Sequence, residues 1–336
     1  MKALVTGGLG LIGHHVVRKL VEDHNVQVSI YDNLTNYNGA VNMKELGYLY
    51  GERMKTITAL PSNMVSTNYL HKDINDLKFV QSSMAFMKPD VVYHLAMPPR
   101  QKVVSHDPAG AANTMMGGLL NMLQVSVENN VKRFVYVSSS MVYGEFKDNV
   151  KEDAVLNPQG EYGIMKMAGE LLVKDYCRKY GLEYTILRPS AVYGPNDVGD
   201  RVIAKFLLSA MGGGTLNVNG EHETLDFTYV EDAAEGFVQA GLSPNAANKT
   251  YNITKSHSKT ILEAANNIVA MVGKGEVNVR EKDADFPSRG ALDITAARND
   301  FGYDPKVDIE EGFQIYYDWL QDSVYWDKKT IQKFIK

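Results

Sequence analysis

Lys2-Ala3-Leu4-Val5-Thr6-Gly7-Gly8-Leu9-Gly10-Leu11-Ile12-Gly13 opens the chain, and the fold is decided there. A short apolar run enters a cluster of glycines, and Val16, Val17 and Leu20 follow at helical spacing. The order is strand, tight turn, helix. Glycines at 8, 10 and 13 satisfy the G-x-G-x-x-G pattern of a dinucleotide-binding turn. Bare backbone lets the chain bend sharply, admits a pyrophosphate and keeps the helix close to the sheet. The first turn of the helix then offers unpaired N–H groups and a partial positive charge to phosphate.

The glycines alone also describe an ordinary strand–helix turn, so an acid at the end of the second strand is the discriminating feature. Asp32 closes Gln27-Val28-Ser29-Ile30-Tyr31, 19 residues past Gly13, near the position of a ribose-binding acid. A carboxylate there accepts from the ribose hydroxyls and repels a 2′-phosphate. No Arg or Lys stands at 33 to 37 to compensate such a phosphate. NAD is therefore expected over NADP.

Outward from this unit, strand patterns fall at Lys2 to Thr6, Gln27 to Asp32, Val91 to Ala96, Lys132 to Ser139 and Glu183 to Pro189, with helical patterns between. That alternation predicts a doubly wound parallel sheet of the Rossmann type. The apolar run Phe134-Val135-Tyr136-Val137 predicts burial on both faces. Ala112, Met116, Leu119, Leu123 and Val127 read as one apolar helix face. A turn is expected at Asn36 to Gly39 and a short helix over Met43 to Met54. After residue 190 the pattern is mixed, punctuated by Gly212-Gly213-Gly214 and Asn219-Gly220. The expected organisation is a dinucleotide-binding domain over 1–190, with sheet elements also from about 225–255, and a smaller mixed α/β substrate lobe over 191–336. The terminal stretch Val324 to Lys336, with Trp326, Ile331, Phe334 and Ile335, is expected to dock as a helix.

Composition excludes several classes. Hydrophobic residues at 44% and charged residues at 22% are ordinary globular values. No apolar run reaches the roughly 18 residues of a membrane span, and the first residues lack a signal-peptide pattern, so a cytoplasmic protein without a membrane partner is expected. The net charge of -5 is spread along the chain, which disfavours a nucleic-acid surface. Cys177 is the only cysteine; neither a disulfide within the chain nor a multi-cysteine metal site is available, and no metal is expected.

Tyr162-Gly163-Ile164-Met165-Lys166 puts a phenol and an ammonium one helical turn apart. A nearby ammonium, together with a positive nicotinamide, lowers the phenol pKa from ~10 and makes tyrosinate a usable base. The spacing recurs on many surface helices and is weak alone. Upstream, however, a buried-looking strand runs into Ser138-Ser139-Ser140-Met141-Val142-Tyr143-Gly144, and hydroxyls at the C-terminal end of such a strand lie where open α/β sheets bind ligands.

Taken together, these segments resemble the extended short-chain dehydrogenase/reductases of the NAD-dependent epimerase/dehydratase family. The resemblance runs nearly the whole length. It is carried further by Asp73-Ile74, His94-Leu95-Ala96, Asn113 followed by Gly117, Arg188-Pro189-Ser190-Ala191-Val192-Tyr193-Gly194-Pro195 and Asp226-Phe227-Thr228-Tyr229-Val230. It implies that Gly7, Gly10, Leu11, Ile12 and Gly13 hold the pyrophosphate and that Asp32 and Asn33 hold the ribose. It implies also that Asp73 and Ile74 touch adenine, that Leu95, Ala96 and Asn113 complete the cofactor site, and that Tyr162 and Lys166 reach the nicotinamide ribose. Ser139, with Ser140, would orient the sugar of a nucleotide-sugar substrate. A homodimer through helices near 109–129 and 160–180 is implied as well.

Within that family the 4,6-dehydratases carry Asp-Glu where Ser140-Met141 stand, and the decarboxylases carry Glu at Met141. An epimerase acting at C3 and C5 usually has a cysteine nearby, whereas Cys177 lies beyond Tyr162. What remains is C4 epimerisation of a UDP-hexose through a 4-keto sugar. The rivals are a 4-oxidase or 4-ketoreductase, a 4,6-dehydratase, and a non-catalytic NAD-binding regulator. Two positions depart from the family: Ala191 replaces an Asn and Leu225 an Arg, both phosphate ligands. Arg201, Arg280 and Arg289 are the candidates to replace them, with Arg289 favoured, and Gly290 is read as leaving room for an N-acetyl group.

Overall fold

Along β1 (Lys2–Thr6), Ala3 and Val5 point to one side and Leu4 to the other, and all three are buried. The same alternation divides β5 (Arg133–Val137), where Val135 and Val137 enter one core and Phe134 and Tyr136 the other. A sheet apolar on both faces must be covered by helices on both. In the computed structural model, which describes residues 1–35, 43–283 and 287–334, that is the arrangement. Seven parallel strands also include β2 (Gln27–Asp32), β3 (Val65–Leu70), β4 (Val91–His94), β6 (Glu183–Pro189) and β7 (Lys249–Ile253), in the order β7-β6-β5-β4-β1-β2-β3. Helices Leu11–Glu22, Met43–Thr58 and Val230–Leu242 cover the Val5 face; Leu77–Met87, Leu119–Glu128 and Gly160–Tyr180 cover the Leu4 face.

The strand order reverses between β1 and β4, so helices leave their C-terminal ends on opposite faces and a crevice opens there. Thr6 ties the two ends together: its hydroxyl bonds His94 Nδ1 at 3.0 Å and accepts from Ala96 N at 3.2 Å. A third apolar cluster forms the second lobe from helices Val202–Met211, Ile261–Val272 and Ile309–Asp322 with the parallel pair Thr215–Asn219 and Glu276–Arg280. Trp326 and Ile331 of the terminal segment are buried in it, with a short helix at Lys328–Ile331.

Several expectations need adjusting. β3 was not anticipated, because Val-Ser-Thr-Asn-Tyr-Leu is a half-exposed edge strand without a continuous apolar run. The helix expected to end at Met54 continues to Thr58. Of the expected apolar face, Leu119 and Leu123 are fully buried, but a π-helical turn over Asn113–Gly118 widens the helix before them, and Ala111 and Met115 are fully buried there in place of Ala112 and Met116. The turn expected at Asn36 to Gly39, Ile335 and the Phe334 side chain lie outside the described residues. Among the described residues, no helix is long and apolar enough to cross a membrane.

Candidate active site

The crevice is a hollow of about 590 Å³ running from the glycine turn to the second lobe. At the turn the fit of backbone to backbone is close. A Cβ on Gly7, which has φ +70°, would stand 2.9 Å from Ala96 N, and one on Gly13 would stand 2.1 Å from the Gly7 carbonyl oxygen. Gly7, Gly10, Leu11, Ile12 and Gly13 all line the hollow, at the N-terminal end of helix Leu11–Glu22. Leu95 joins them from beyond β4.

A side pocket continues past Gly7 and Ala96 to Asp32, Asn33 and Ile74. Asp32 is fixed by two backbone donors, Leu9 N at 2.8 Å and Leu34 N at 2.9 Å. Burial raises its pKa, and those two bonds oppose the rise. Asn33 donates to Asp73 at 3.1 Å, while the other Asp73 oxygen accepts from Asn75 N at 2.8 Å, so Asp73 shapes this pocket from behind. Asn113, at the start of the π turn, is exposed, and its neighbour Thr114 lines the pocket. The hollow, its glycine backbone and the fixed Asp32 carboxylate fit an extended dinucleotide. Lys72 also lines the pocket; it was missed because it precedes the family motif.

At the other end, β5 delivers three serines with three different engagements. Ser138 donates to Glu170 at 2.6 Å, Ser140 to Ser190 at 3.2 Å, and Ser139, which accepts from Met141 N at 3.2 Å, faces Tyr162 and opposes the rise of its pKa. Tyr162 and Lys166 lie one turn apart on helix Gly160–Tyr180, with Lys166 Nζ 5.4 Å from the Tyr162 ring centre. Gln101, also unforeseen, fixes the start of that helix by accepting from Tyr162 N at 3.0 Å. Lys166 donates to the Val137 carbonyl at 2.7 Å and to the Met97 thioether.

In the chain by itself, without the nicotinamide charge that the expectation included, burial dominates the electrostatics of this pair. Burial pushes Tyr162 up to about 12, and the groups that oppose it are Ser139, Arg201 and Arg289. Lys166 is itself desolvated, which brings it down to about 7, with only Glu170 supporting its charge. Behind them, Arg188 and Glu170 form a doubly hydrogen-bonded pair at 2.8 and 2.6 Å, and Arg188 also donates to Tyr143 at 2.8 Å.

Of the three arginines considered for phosphate, Arg201 and Arg289 line the hollow, while Arg280 is exposed on strand Glu276–Arg280 and does not. Lys205, one turn beyond Arg201 on helix Val202–Met211, joins them. Gly290 does not open space: a Cβ there would lie 2.5 Å from Asp148 N, so glycine serves loop packing. Ala191 has φ +37°, in the left-handed region that Asn tolerates and Ala does not. Leu225 lines the hollow as an apolar residue. Met141 lies in the same wall, 6% exposed, against Arg289.

The sequence profile of the NAD dependent epimerase/dehydratase family matches residues 3–254. A Bacillus subtilis protein named as an uncharacterized UDP-glucose epimerase is 30% identical over 318 residues, covering 93% of this chain and 95% of its own. Among solved structures, the UDP-glucuronic acid 4-epimerase from Bacillus cereus, in complex with UDP-glucuronic acid and NAD, has a TM-score of 0.85 at 26% identity over 96% of this chain and 99% of that one. The dTDP-glucose 4,6-dehydratase of Streptomyces venezuelae, with NAD bound, has a TM-score of 0.86 at 25% identity over 98% and 100%.

Proposed function

Because the chain belongs to the NAD-dependent epimerase/dehydratase family, we propose that it binds NAD and epimerises a nucleotide-activated hexose, with UDP the favoured nucleotide, at C4. The observation that carries this reading is Met141. A thioether stands in the wall of the hollow beside Arg289, at the position where the dehydratases and decarboxylases of the family have a Glu. A thioether neither gives nor takes a proton at working pH, so the chemistry left to this wall is that of the Ser139–Tyr162 pair.

NAD, when bound, supplies the acceptor and donor of a hydride at the sugar C4. Ser139 and Tyr162 share the C4 hydroxyl, and Tyr162 takes its proton as C4 becomes a ketone. The sugar turns, and Tyr162 returns the proton to the oxygen of the opposite epimer. Lys166, with a pKa brought down to about 7, is poised to exchange charge with the phenol and to hold the nicotinamide ribose. Gly7, Gly10, Leu11, Ile12 and Gly13 would cradle the pyrophosphate, and Asp32 and Asn33 the ribose. Asp73, Ile74, Leu95 and Ala96 would enclose the adenine end and the strand crossing, and Ser140 would support Ser139. Arg201 and Lys205, at the start of helix Val202–Met211, would take the substrate diphosphate in place of the ligands lost at Ala191 and Leu225. A homodimer is proposed through helix Gly160–Tyr180, whose Ile164 and Leu171 are 50% and 58% exposed and two turns apart on one face.

The test is incubation of the purified protein, without added cofactor, with UDP-, GDP-, CDP- and dTDP-hexoses, read by NMR and by absorbance at 340 nm. The expected result is a C4 epimer without net NADH. Stoichiometric NADH or an accumulating 4-keto product would favour the oxidase or dehydratase reading, and no product from any sugar would favour the regulator.

A further inference from the structure

Arg289 is a buried cation of the hollow with weak protein contacts. Its Nη1 donates to the Met141 thioether at 3.3 Å, and among the described residues its buried Nε has no hydrogen-bond partner. A thioether is a weak acceptor and replaces little of the water that a guanidinium gives up on burial. Burial and the charge of Arg201 bring Arg289 down to about 10. The neighbouring cations are engaged otherwise. Arg100 grips both oxygens of Asp200 at 2.6 Å, Arg201 donates to the Val192 carbonyl at 3.1 Å, and Lys282 pairs with Glu223 at 3.2 Å. Glu223, the acid whose charge supports Arg289, also accepts the one Ser288 hydroxyl proton, shared between its two oxygens at 3.0 Å. An arginine left in this state is arranged to meet an anion from outside the chain.

Its position narrows which anion. The diphosphate falls to Arg201 and Lys205 at the helix start, whereas Arg289 touches Met141, two residues past Ser139, and its charge acts on Tyr162. That is the sugar end of the hollow. Resting on the reading of Ser139 and Tyr162 as the pair that holds the C4 hydroxyl, we infer that the sugar is a hexuronic acid and that Arg289 receives its C6 carboxylate. C5 adjoins C4 and bears C6, so a carboxylate at C6 lies beside the wall that Met141 and Arg289 form. The guanidinium fork matches a carboxylate with two parallel bonds. A neutral hydroxymethyl group would leave it desolvated and its Nε without a hydrogen-bond partner.

Two matched pairs of ligands, UDP-glucose with UDP-glucuronate and GDP-mannose with GDP-mannuronate, would be titrated calorimetrically into the NAD-loaded protein. Charged hydrogen bonds of this kind correspond to about 10- to 100-fold in affinity, so at least one acid should bind tighter than its neutral partner by that factor. In Arg289→Met the ratio should collapse towards one, and Arg289→Lys should restore part of it. Equal binding of acid and neutral sugar in both pairs would overturn the inference, as would an Arg289→Met protein that binds both more weakly with the ratio unchanged, the signature of a phosphate ligand. Binding is read without turnover. An acid preference without epimer formation would therefore sink the epimerase reading and leave this one standing, and epimerisation without acid preference would do the reverse.

Discussion

Tyr162→Phe should lower kcat by about 10²- to 10⁴-fold, the usual contribution of a positioned acid–base group, while NAD stays bound and KM changes little. The substitution removes one oxygen from a side chain that is 7% exposed and leaves the ring packed in the same apolar cluster, so the fold should tolerate it. What is lost is the phenol whose pKa Ser139 and the charges of Arg201 and Arg289 lower. Steady-state kinetics beside a measurement of bound NAD would check it. Activity within a few-fold of the parent would remove Tyr162 from the chemistry and the C4 oxidation with it. Because burial holds the phenol near 12 in the protein alone, the base limb of the activity profile should also fall as pH drops, and it should move to higher pH if the nearby positive charge is reduced.

The second large effect is on stability. Glu170→Ala should cost about 3–5 kcal/mol, because removing one member of a buried ion pair strands the other. The side chains of Arg188 and Glu170 are 2% and 1% exposed, and Ser138 loses its acceptor in the same substitution. The double variant Glu170→Leu with Arg188→Met should recover much of the loss, since no uncompensated charge then remains. Denaturant unfolding of the two variants side by side measures both. A loss below about 1 kcal/mol for the single variant would mean that water or a rearranged Tyr143 hydroxyl compensates Arg188. Glu170 also supports the charge of Lys166 one turn earlier, so the pair joins the strength of the fold to the catalytic end of the helix.

Local sequence carries the front half of the molecule well and the back half poorly. The first strand, turn and helix were legible because glycine spacing and an acid at the second strand end are short-range signals, and Asp32 and Gly7 open on the same pocket. The serines after β5 were legible as a group, but their division among Glu170, Tyr162 and Ser190 was not, since it depends on partners at long range. Edge strand β3 escaped because one exposed face blurs the apolar run. The π turn escaped because nothing in Asn113-Thr114-Met115-Met116-Gly117-Gly118 marks an added residue per turn. The dehydration of the Lys166 ammonium was not legible either, because spacing shows proximity to the phenol and cannot show burial. Arg289 was singled out, yet its contact with Met141 brings together residues far apart in the chain.

The central claim is that hydride leaves C4 and returns to C4 of the same sugar while Tyr162 carries the proton. Deuterium at C4 tests it. With a nucleotide-sugar substrate labelled at C4, incubated without added cofactor and followed by NMR, the account predicts an epimer that keeps its deuterium at C4 and takes no hydrogen there from solvent. Loss of the label to water, or its accumulation in released reduced cofactor, would contradict it.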